Sequence, residues 1–187
     1  MVRRKSRWPK GIRIFKYIEG CIINTYKVSI IIPHFNGVEI LSECIESLVK
    51  TITEEIEIIV VDNASEDNSV NHIRTLFPDI KILECDKNYG YAEGCNKGAE
   101  IANGQYLLFL NNDTVQDKNW INPLIKEIES NSNLSSVQPK IKNYFKREKF
   151  DYAGGCGGEL DILCYPFVRG RIFNTVEIDR GQYNQSK

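Results

Sequence analysis

Short apolar runs alternate with amphipathic helical patterns along residues 28–130 of the 187-residue chain. The runs are rich in Ile, Val and Leu and predict buried strands at residues 28–32, 56–61, 80–83 and 106–110. Helical patterns follow each run and predict helices within residues 41–49, 70–77, 91–102 and 120–128. Alternating strands and helices predict an α/β fold with a mainly parallel sheet and helices on both faces.

This alternation stops near residue 140. The remaining residues include a basic and aromatic stretch at 140–149 and a glycine-rich stretch at 154–158, which predict loops and at most a hairpin. We therefore divide the chain into a basic N-terminal extension at 1–27, an α/β domain at 28–140 and an irregular segment at 141–187.

The distribution of charge sets the N-terminal extension apart. Residues 1–27 contain eight Lys or Arg residues and one acidic residue, whereas the rest of the chain contains 16 basic and 24 acidic residues. An acidic body argues against nucleic-acid binding. Two kinds of interpretation of the extension are open: peripheral contact with an anionic membrane surface, or no role in the fold, as a disordered tail or the product of a misassigned start codon.

Composition narrows the class of protein further. Hydrophobic residues make up 42% and charged residues 26%, as is typical of soluble globular domains, and no apolar run approaches the roughly 20 residues that cross a bilayer. Six Cys residues without a Cys-x-x-Cys pair predict a reducing, cytoplasmic compartment. Cys44 occupies an apolar position in a helical pattern and is predicted to pack as a small hydrophobic side chain.

Polar residues follow the first two predicted strands, at the edge of the sheet where such folds bind ligands. Pro33 closes the first strand, Phe35 offers an aromatic face, and Asn36 suits the N-cap of the next helix. Asp62 ends the second strand, where a buried carboxylate needs a partner. It could accept a hydrogen bond from the N3–H of a uracil or thymine ring. Ser65 and Asp67 are good N-cap groups for the helix after it.

The third motif is a glycine-rich stretch that opens a helix and contains Asn88, Gly90 and Asn96. Its glycines allow either a close approach of the backbone to a ligand or tight packing of the helix on the sheet, and both can hold together. A helix N-terminus here would favour nearby negative charge.

The fourth motif, Asn111 to Asp113, follows the most apolar strand. An exposed carboxylate at this position can bind Mg²⁺ or Mn²⁺, and such an ion can neutralise a diphosphate leaving group. A plain Asn-Asp turn is the alternative for this motif alone. Turn chemistry alone does not account for polar groups after all four strands.

In these motifs the chain resembles the family 2 glycosyltransferases with the GT-A fold, a Rossmann-like nucleotide-binding fold. The resemblance covers about residues 28–183 and is greatest to the rhamnosyltransferase-like branch of bacterial polysaccharide assembly. The matching strings are SIIIPHFN at 29–36, VVDNAS at 60–65, NYGYAEGCNKG at 88–98 and LFLNND at 108–113.

The resemblance implies a role for each motif residue. Asp62 would contact the nucleobase, and Asp113 would hold the metal as the last residue of an Asp-x-Asp motif. Asn111 stands where that motif has its first Asp, which predicts weaker metal affinity. The implied nucleotide-sugar-binding residues are Pro33, Phe35, Asn36, Asp62, Asn88, Gly90, Asn96, Asn111 and Asn112.

The implied reaction is the inverting transfer of a hexosyl or deoxyhexosyl group from a UDP- or dTDP-linked sugar to a cell-surface glycan or lipid-linked acceptor. The family carries its catalytic base in an acceptor-side half, which we expect beyond Lys187, so the catalytic residue stays unknown. We interpret the carboxylates near the end of the chain as solvated loop charges; they are Asp151, Glu159, Asp161, Glu177 and Asp179.

A truncated, non-catalytic nucleotide-binding remnant is the alternative function, and it predicts no sugar transfer with any donor. A dinucleotide-binding oxidoreductase needs Gly-x-Gly-x-x-Gly after the first strand, where this chain has the single Gly37. The sequence does not favour a nucleoside triphosphatase, because the glycine-rich stretch at 154–158 lacks a following Lys-Ser/Thr.

Overall fold

The computed structural model describes residues 13–16, 26–52, 55–152 and 155–184. The helices are α1 (Val38–Val49), α2 (Ser69–Leu76), α3 (Gly90–Ile101) and α4 (Ile121–Ser130). The strands are β1 (Arg13–Lys16), β2 (Tyr26–His34), β3 (Ile56–Asp62), β4 (Lys81–Glu84), β5 (Gly104–Phe109), β6 (Ser136–Val137), β7 (Gly158–Leu160), β8 (Pro166–Val168), β9 (Arg171–Ile172) and β10 (Thr175–Val176). The chain divides into two compact units, Met1–Val137 and Gln138–Lys187.

A six-stranded sheet in the order β4-β3-β2-β5-β1-β6 organises the first unit. Strands β2 to β5 pair in parallel, whereas β1 pairs antiparallel with β5 and β6. This confirms the predicted mainly parallel sheet. The chain runs outward from β2 through β3 to β4 and then returns to place β5 on the other side of β2. The carboxyl ends of β2 and β5 therefore form the topological switch point, where open α/β sheets bind ligands.

Strand β1 lies inside the stretch that the charge distribution set apart as an extension. The register places Arg13 opposite Phe109 and Lys16 opposite Tyr106, so residues 13–16 belong to the sheet. Four residues with a cation at each end give too weak an apolar pattern to predict this strand. Residues 1–12 and 17–25 lie outside the described residues, so the membrane contact of the extension stays a prediction.

The sheet carries an apolar layer on each face, because successive strand residues point to opposite sides. On one face Ile31 and Val61 pack with Cys95 of α3. Ile30 and Ile32 point the other way and are fully buried. The other buried layer includes the apolar side of α1, which packs against α2. Helices on both faces are thereby confirmed.

The sheet opens between β2 and β5 at their carboxyl ends. Pairing of β2 with β5 ends at Ile31 and Phe109, whereas pairing with β3 continues to His34 and Asp62. The carbonyl of Ile31 faces β5, since it accepts the N–H of Leu110 at 3.0 Å. Pro33 points its backbone the same way but has no N–H to donate. The sequence predicted that Pro33 ends this strand, but β2 continues to His34. Pro33 instead ends the pairing of β2 with β5.

The second unit contains two antiparallel hairpins, β7–β8 and β9–β10. Phe150 is its largest fully buried side chain, and its ring centroid lies 5.7 Å from that of Tyr183. Gly170, at φ +84°, leaves no room for a Cβ against the Phe150 ring. The described part of this unit contains no helix, in agreement with the prediction, but it has two hairpins where the sequence predicted at most one.

Asp179 differs from the solvated loop charge that we predicted from the sequence. Its side chain is 9% exposed and pairs with Lys142 at 2.9 Å and Lys140 at 3.2 Å. The hydrogen bond from Lys142 is the main cause that lowers the pKa of Asp179 to about 2. The prediction is wrong for this residue because the chain folds back and places two Lys side chains beside it.

Candidate functional site

Hydrogen bonds join the loops that follow β2 and β3. Asn36 Oδ1 accepts the N–H of Glu66 at 2.8 Å, and the N–H of Asn36 donates to Ser65 Oγ at 2.9 Å. The N–H of Gly37 donates to Asp67 Oδ2 at 2.6 Å. Asn36 therefore does not cap α1, whose N-cap is Gly37 without a side-chain cap. Its side chain is used to hold the neighbouring loop instead.

Asp62 is 4% exposed at the end of β3, and its carboxylate accepts the N–H of Ser65 at 3.1 and 3.3 Å. The prediction that a carboxylate here has a partner is confirmed. A carboxylate offers about four lone-pair sites, so the bond from Ser65 leaves capacity for another donor. Asp67 accepts the N–H of Ser69, the first residue of α2, at 3.0 Å. The N-cap of α2 is nevertheless Asn68, without a side-chain cap, so the prediction of Ser65 or Asp67 as the N-cap is wrong.

Asn63 connects the loop after β3 to the loop after β4. Its Oδ1 accepts the N–H of Tyr89 at 3.3 Å, and its Nδ2 donates to the carbonyl of Gly90 at 3.5 Å. Asn88 Oδ1 accepts the N–H of Gly90 at 2.8 Å, which satisfies one free N–H at the start of α3. Asn88 and Gly90 therefore lie beside Asn63, which is the residue that follows Asp62 in the sequence.

Two of the glycines in α3 serve packing on the sheet. A Cβ on Gly98 would lie 2.9 Å from Cγ2 of Val61, and one on Gly94 would lie 3.2 Å from Cβ of Pro33. Gly90 differs, since it has φ +76° and open space around its missing Cβ. Tight packing on the sheet therefore accounts for Gly94 and Gly98. Of the three helix glycines, only Gly90 has room beside it for a ligand.

The loop after β5 contains three polar residues that differ in their burial and hydrogen bonding. Asn111 Oδ1 is buried and has no hydrogen-bond partner within the described residues. Asn112 Nδ2 lies 2.9 Å from His34 Nδ1. The exposed carboxylate of Asp113 makes no hydrogen bond or ion pair with the described part of the chain. This carboxylate is therefore open to solvent after the end of β5.

His34 is a site residue that sequence reasoning missed. It is buried at the end of β2, and its Nε2 lies 3.0 Å from Ser69 Oγ. Burial lowers the pKa of His34 against the opposing charges of Asp62 and Asp67, so the imidazole is neutral near pH 7. A polar residue at the end of a buried strand was the available signal, and we applied it only to Asp62.

The structure thus brings most of the predicted site residues together at the carboxyl ends of β2 to β5. Pro33 is buried beneath α3, and Phe35 is exposed beside it at the sheet edge. Asn96 is the exception: its amide donates to Glu93 on α3 at 3.3 Å, and no described hydrogen bond joins it to the four loops.

Fold and site define a doubly wound α/β domain with polar loops at its topological switch point, a class that binds ligands there. The family model for Glycosyl transferase family 2 matches residues 29–165. The chain belongs to this family.

Individual relatives agree with this assignment. Glycosyltransferase GlyG of Streptococcus pneumoniae is 27% identical over 154 residues, which are 81% of this chain and 46% of that protein. Poly(ribitol-phosphate) beta-glucosyltransferase of Bacillus spizizenii is 36% identical over 94 residues, which are 46% of this chain and 15% of that protein. The chain therefore spans less than half the length of both relatives.

Solved structures show the same fold. The crystal structure of S. aureus TarS 1-349 in complex with UDP has a TM-score of 0.52 and 25% sequence identity over 56% of this chain and 32% of that chain. The complex of the same protein with UDP-GlcNAc gives a TM-score of 0.51 over 56% of this chain and 31% of that chain. These matches confirm the predicted GT-A-like α/β fold.

Two further findings concern metals and membranes. Within the described residues no three His, Cys, Asp or Glu side chains cluster into a metal site. A cation at Asp113 would therefore also need oxygen atoms from a bound molecule. Mg²⁺ is commonly held in this way, by one or two carboxylates of the protein and the phosphates of a ligand. The described helices are all too short or too polar to span a membrane.

Proposed function

We propose that the first unit binds a UDP- or dTDP-linked sugar at the carboxyl ends of β2 to β5, as the donor site of a glycosyltransferase. The observation that carries this proposal is the network that joins four polar loops around the switch point. Asn36 holds the loop after β3, Asn63 holds the loop after β4, and His34 holds the loop after β5. The UDP and UDP-GlcNAc complexes of the related TarS support a nucleotide-sugar ligand.

Asp62 is our candidate for recognition of the base. Its carboxylate keeps free acceptor capacity beyond the bond from Ser65, and uracil and thymine both present an N3–H donor. An exposed aromatic face at Phe35 is available for the flat ring. Cytosine lacks this N3–H in its neutral form, so the arrangement favours uridine and thymidine nucleotides.

Asp113 is our candidate ligand for Mg²⁺ or Mn²⁺, together with the diphosphate oxygens. Its carboxylate is exposed, and the nearby Asn111 Oδ1 is a buried acceptor without a partner in the described structure. The bound cation would stabilise the negative charge of the departing nucleoside diphosphate. Asn111 brings no charge, so we propose that metal binding is weak and depends on the diphosphate.

The complete reaction that we propose is an inverting transfer to a cell-surface glycan or lipid-linked acceptor in the cytoplasm. An inverting displacement needs a carboxylate base near the acceptor hydroxyl, and we assign this base to no residue of the chain. Hexosyl and deoxyhexosyl donors, rhamnose among them, remain candidates. The B. spizizenii relative is a glucosyltransferase by name.

Calorimetric titration of UDP and dTDP, with and without Mn²⁺, tests the donor site. We expect Mn²⁺-dependent binding that Asp113→Ala abolishes and that Asp62→Asn weakens about ten- to a hundredfold, the size expected for a lost hydrogen bond to a charged group. Asp79→Ala is the matched control, because this exposed Asp lies before β4 at the opposite end of the sheet. A cooperatively folded wild-type chain that binds neither nucleotide would contradict the proposal.

A further inference from the structure

The hydrogen bonds around His34 form a chain that has one consistent direction. An ionised carboxylate can only accept, so Ser69 Oγ donates its proton to Asp67 Oδ1. With that proton committed, Ser69 Oγ must accept from His34 Nε2–H, 3.0 Å away. His34 Nδ1 then carries no proton and accepts an N–H of Asn112 at 2.9 Å.

The direction of this chain depends on an ionised Asp67. The hydrogen bond from the Ser69 hydroxyl is the main cause that lowers the pKa of Asp67, with further contributions from the N–H groups of Gly37 and Ser69. The carboxylate is therefore charged throughout the neutral range. His34 in turn is neutral because burial lowers its pKa. A neutral imidazole carries one ring proton, and the direction set by Asp67 places this proton on Nε2.

These hydrogen bonds lie where the sheet opens, and their position suggests what they do. The sheet is open between β2 and β5 at their carboxyl ends, where Pro33 stops the backbone pairing. In that gap the imidazole of His34 connects β2 to Asn112, and through Ser69 it reaches the first residue of α2. The side-chain contact therefore ties the loop carrying Asp113 to β2 where the backbone ladder stops, beside the contacts that Cys44 and Ser47 of α1 make with Asn111 and Gln116.

We propose that His34, as the neutral Nε2–H tautomer, is a positioning residue that holds the loop at residues 111–113 in place for the donor diphosphate and its cation. This inference rests on the proposed donor function. His34 is not proposed to touch the ligand. Its contribution is to remove loop motion before binding, which raises affinity because less conformational freedom is lost on association.

A double-mutant cycle on UDP binding with Mn²⁺ tests the positioning role. His34→Phe keeps a ring of similar size without hydrogen bonds, and Asn112→Ala removes the other partner. We expect each variant to weaken UDP binding about five- to tenfold, the size of one buried hydrogen bond, and the double variant to be no weaker than the worse single one. Fully additive losses would overturn the proposal, because the two residues would then act separately.

The tautomer of His34 provides a second measurement that needs no ligand. The chain contains only two histidines, so long-range ¹H–¹⁵N spectra of the imidazoles are simple, and His72→Gln assigns them. We expect the proton of His34 on Nε2 in the wild type. A proton on Nδ1 would overturn the inference even if UDP binds. If wild-type protein failed to bind UDP, the donor site itself would be contradicted, while the tautomer would still decide whether the tie exists.

Discussion

Asn36 Oδ1 accepts a hydrogen bond from the backbone N–H of Glu66 at 2.8 Å, which ties the loop after β2 to the loop after β3. Asn36 also has φ +53°, in the left-handed region that Asn tolerates better than most residues. Two separate properties of Asn, its amide oxygen and its backbone tolerance, therefore meet at one position. Each can be tested by a different substitution.

Asn36→Ala should lower the free energy of unfolding by about 1–3 kcal/mol, because it loses a hydrogen bond and strains a left-handed backbone. Urea denaturation measures this change. Asn36→Gly is the matched variant, since it loses the same hydrogen bond and relieves the backbone. We expect Gly to be less destabilising than Ala; equal stability of wild type and both variants would show that the amide contributes nothing.

Gly98→Ala should destabilise the fold by about 1–3 kcal/mol, because the added methyl group would overlap Cγ2 of Ile31 and crowd Val61. Thermal unfolding followed by circular dichroism measures the loss. Glu100→Ala, at an exposed position of the same helix, should leave stability nearly unchanged. If Gly98→Ala proved as stable as Glu100→Ala, α3 would not pack on the sheet as described.

The buried carboxylate of Glu57 should make the folded protein less stable in acid. Burial opposes its ionisation, but hydrogen bonds from Lys81 at 2.7 Å, from Ser29 and from the N–H of Asn103 together lower the pKa of Glu57 below its usual 4.5. A lowered folded-state pKa means that the stabilisation is fully present above about pH 4.5 and disappears as the pH falls through the folded-state value.

Glu57→Gln tests this prediction. The variant should lose about 1–1.5 kcal/mol near neutral pH, the difference between a hydrogen bond to a charged group and one to a neutral group. Urea denaturation at a series of pH values should then show a smaller acid-dependent loss than in the wild type. Parallel pH profiles for the two proteins would contradict the assigned role of this carboxylate.

Buried thiols should resist alkylation in the native protein. Burial raises the pKa of Cys44 and of Cys95 to about 12, whereas Cys164 is exposed. Because the thiolate is the reactive form, iodoacetamide at pH 8 should label Cys164 well before either buried Cys. Peptide mass spectrometry measures the order, and labelling in urea gives the unfolded control. Rapid native labelling of Cys44 would show that its helix opens readily.

The sequence alone determined the parallel α/β architecture, because strands buried on both faces have continuous apolar runs and helices between them have one apolar side. It also indicated that ligand chemistry follows the strands, since Asp62 at the end of a buried strand needs a partner. The capping interpretation failed for Asn36, Ser65 and Asp67, because each of these side chains accepts an N–H from the neighbouring loop.

Only the tertiary structure decided which side chains meet. His34 and Asn112 are 78 positions apart in the chain, and no local pattern couples them; the reversal of strand order between β2 and β5 brings them together. Strand β1 could not be predicted for a similar reason. Its four residues have a cation at each end, and they belong to the sheet only because they pair antiparallel with β5. Periodicity reports which residues are buried, whereas long-range contacts depend on the order in which the strands assemble.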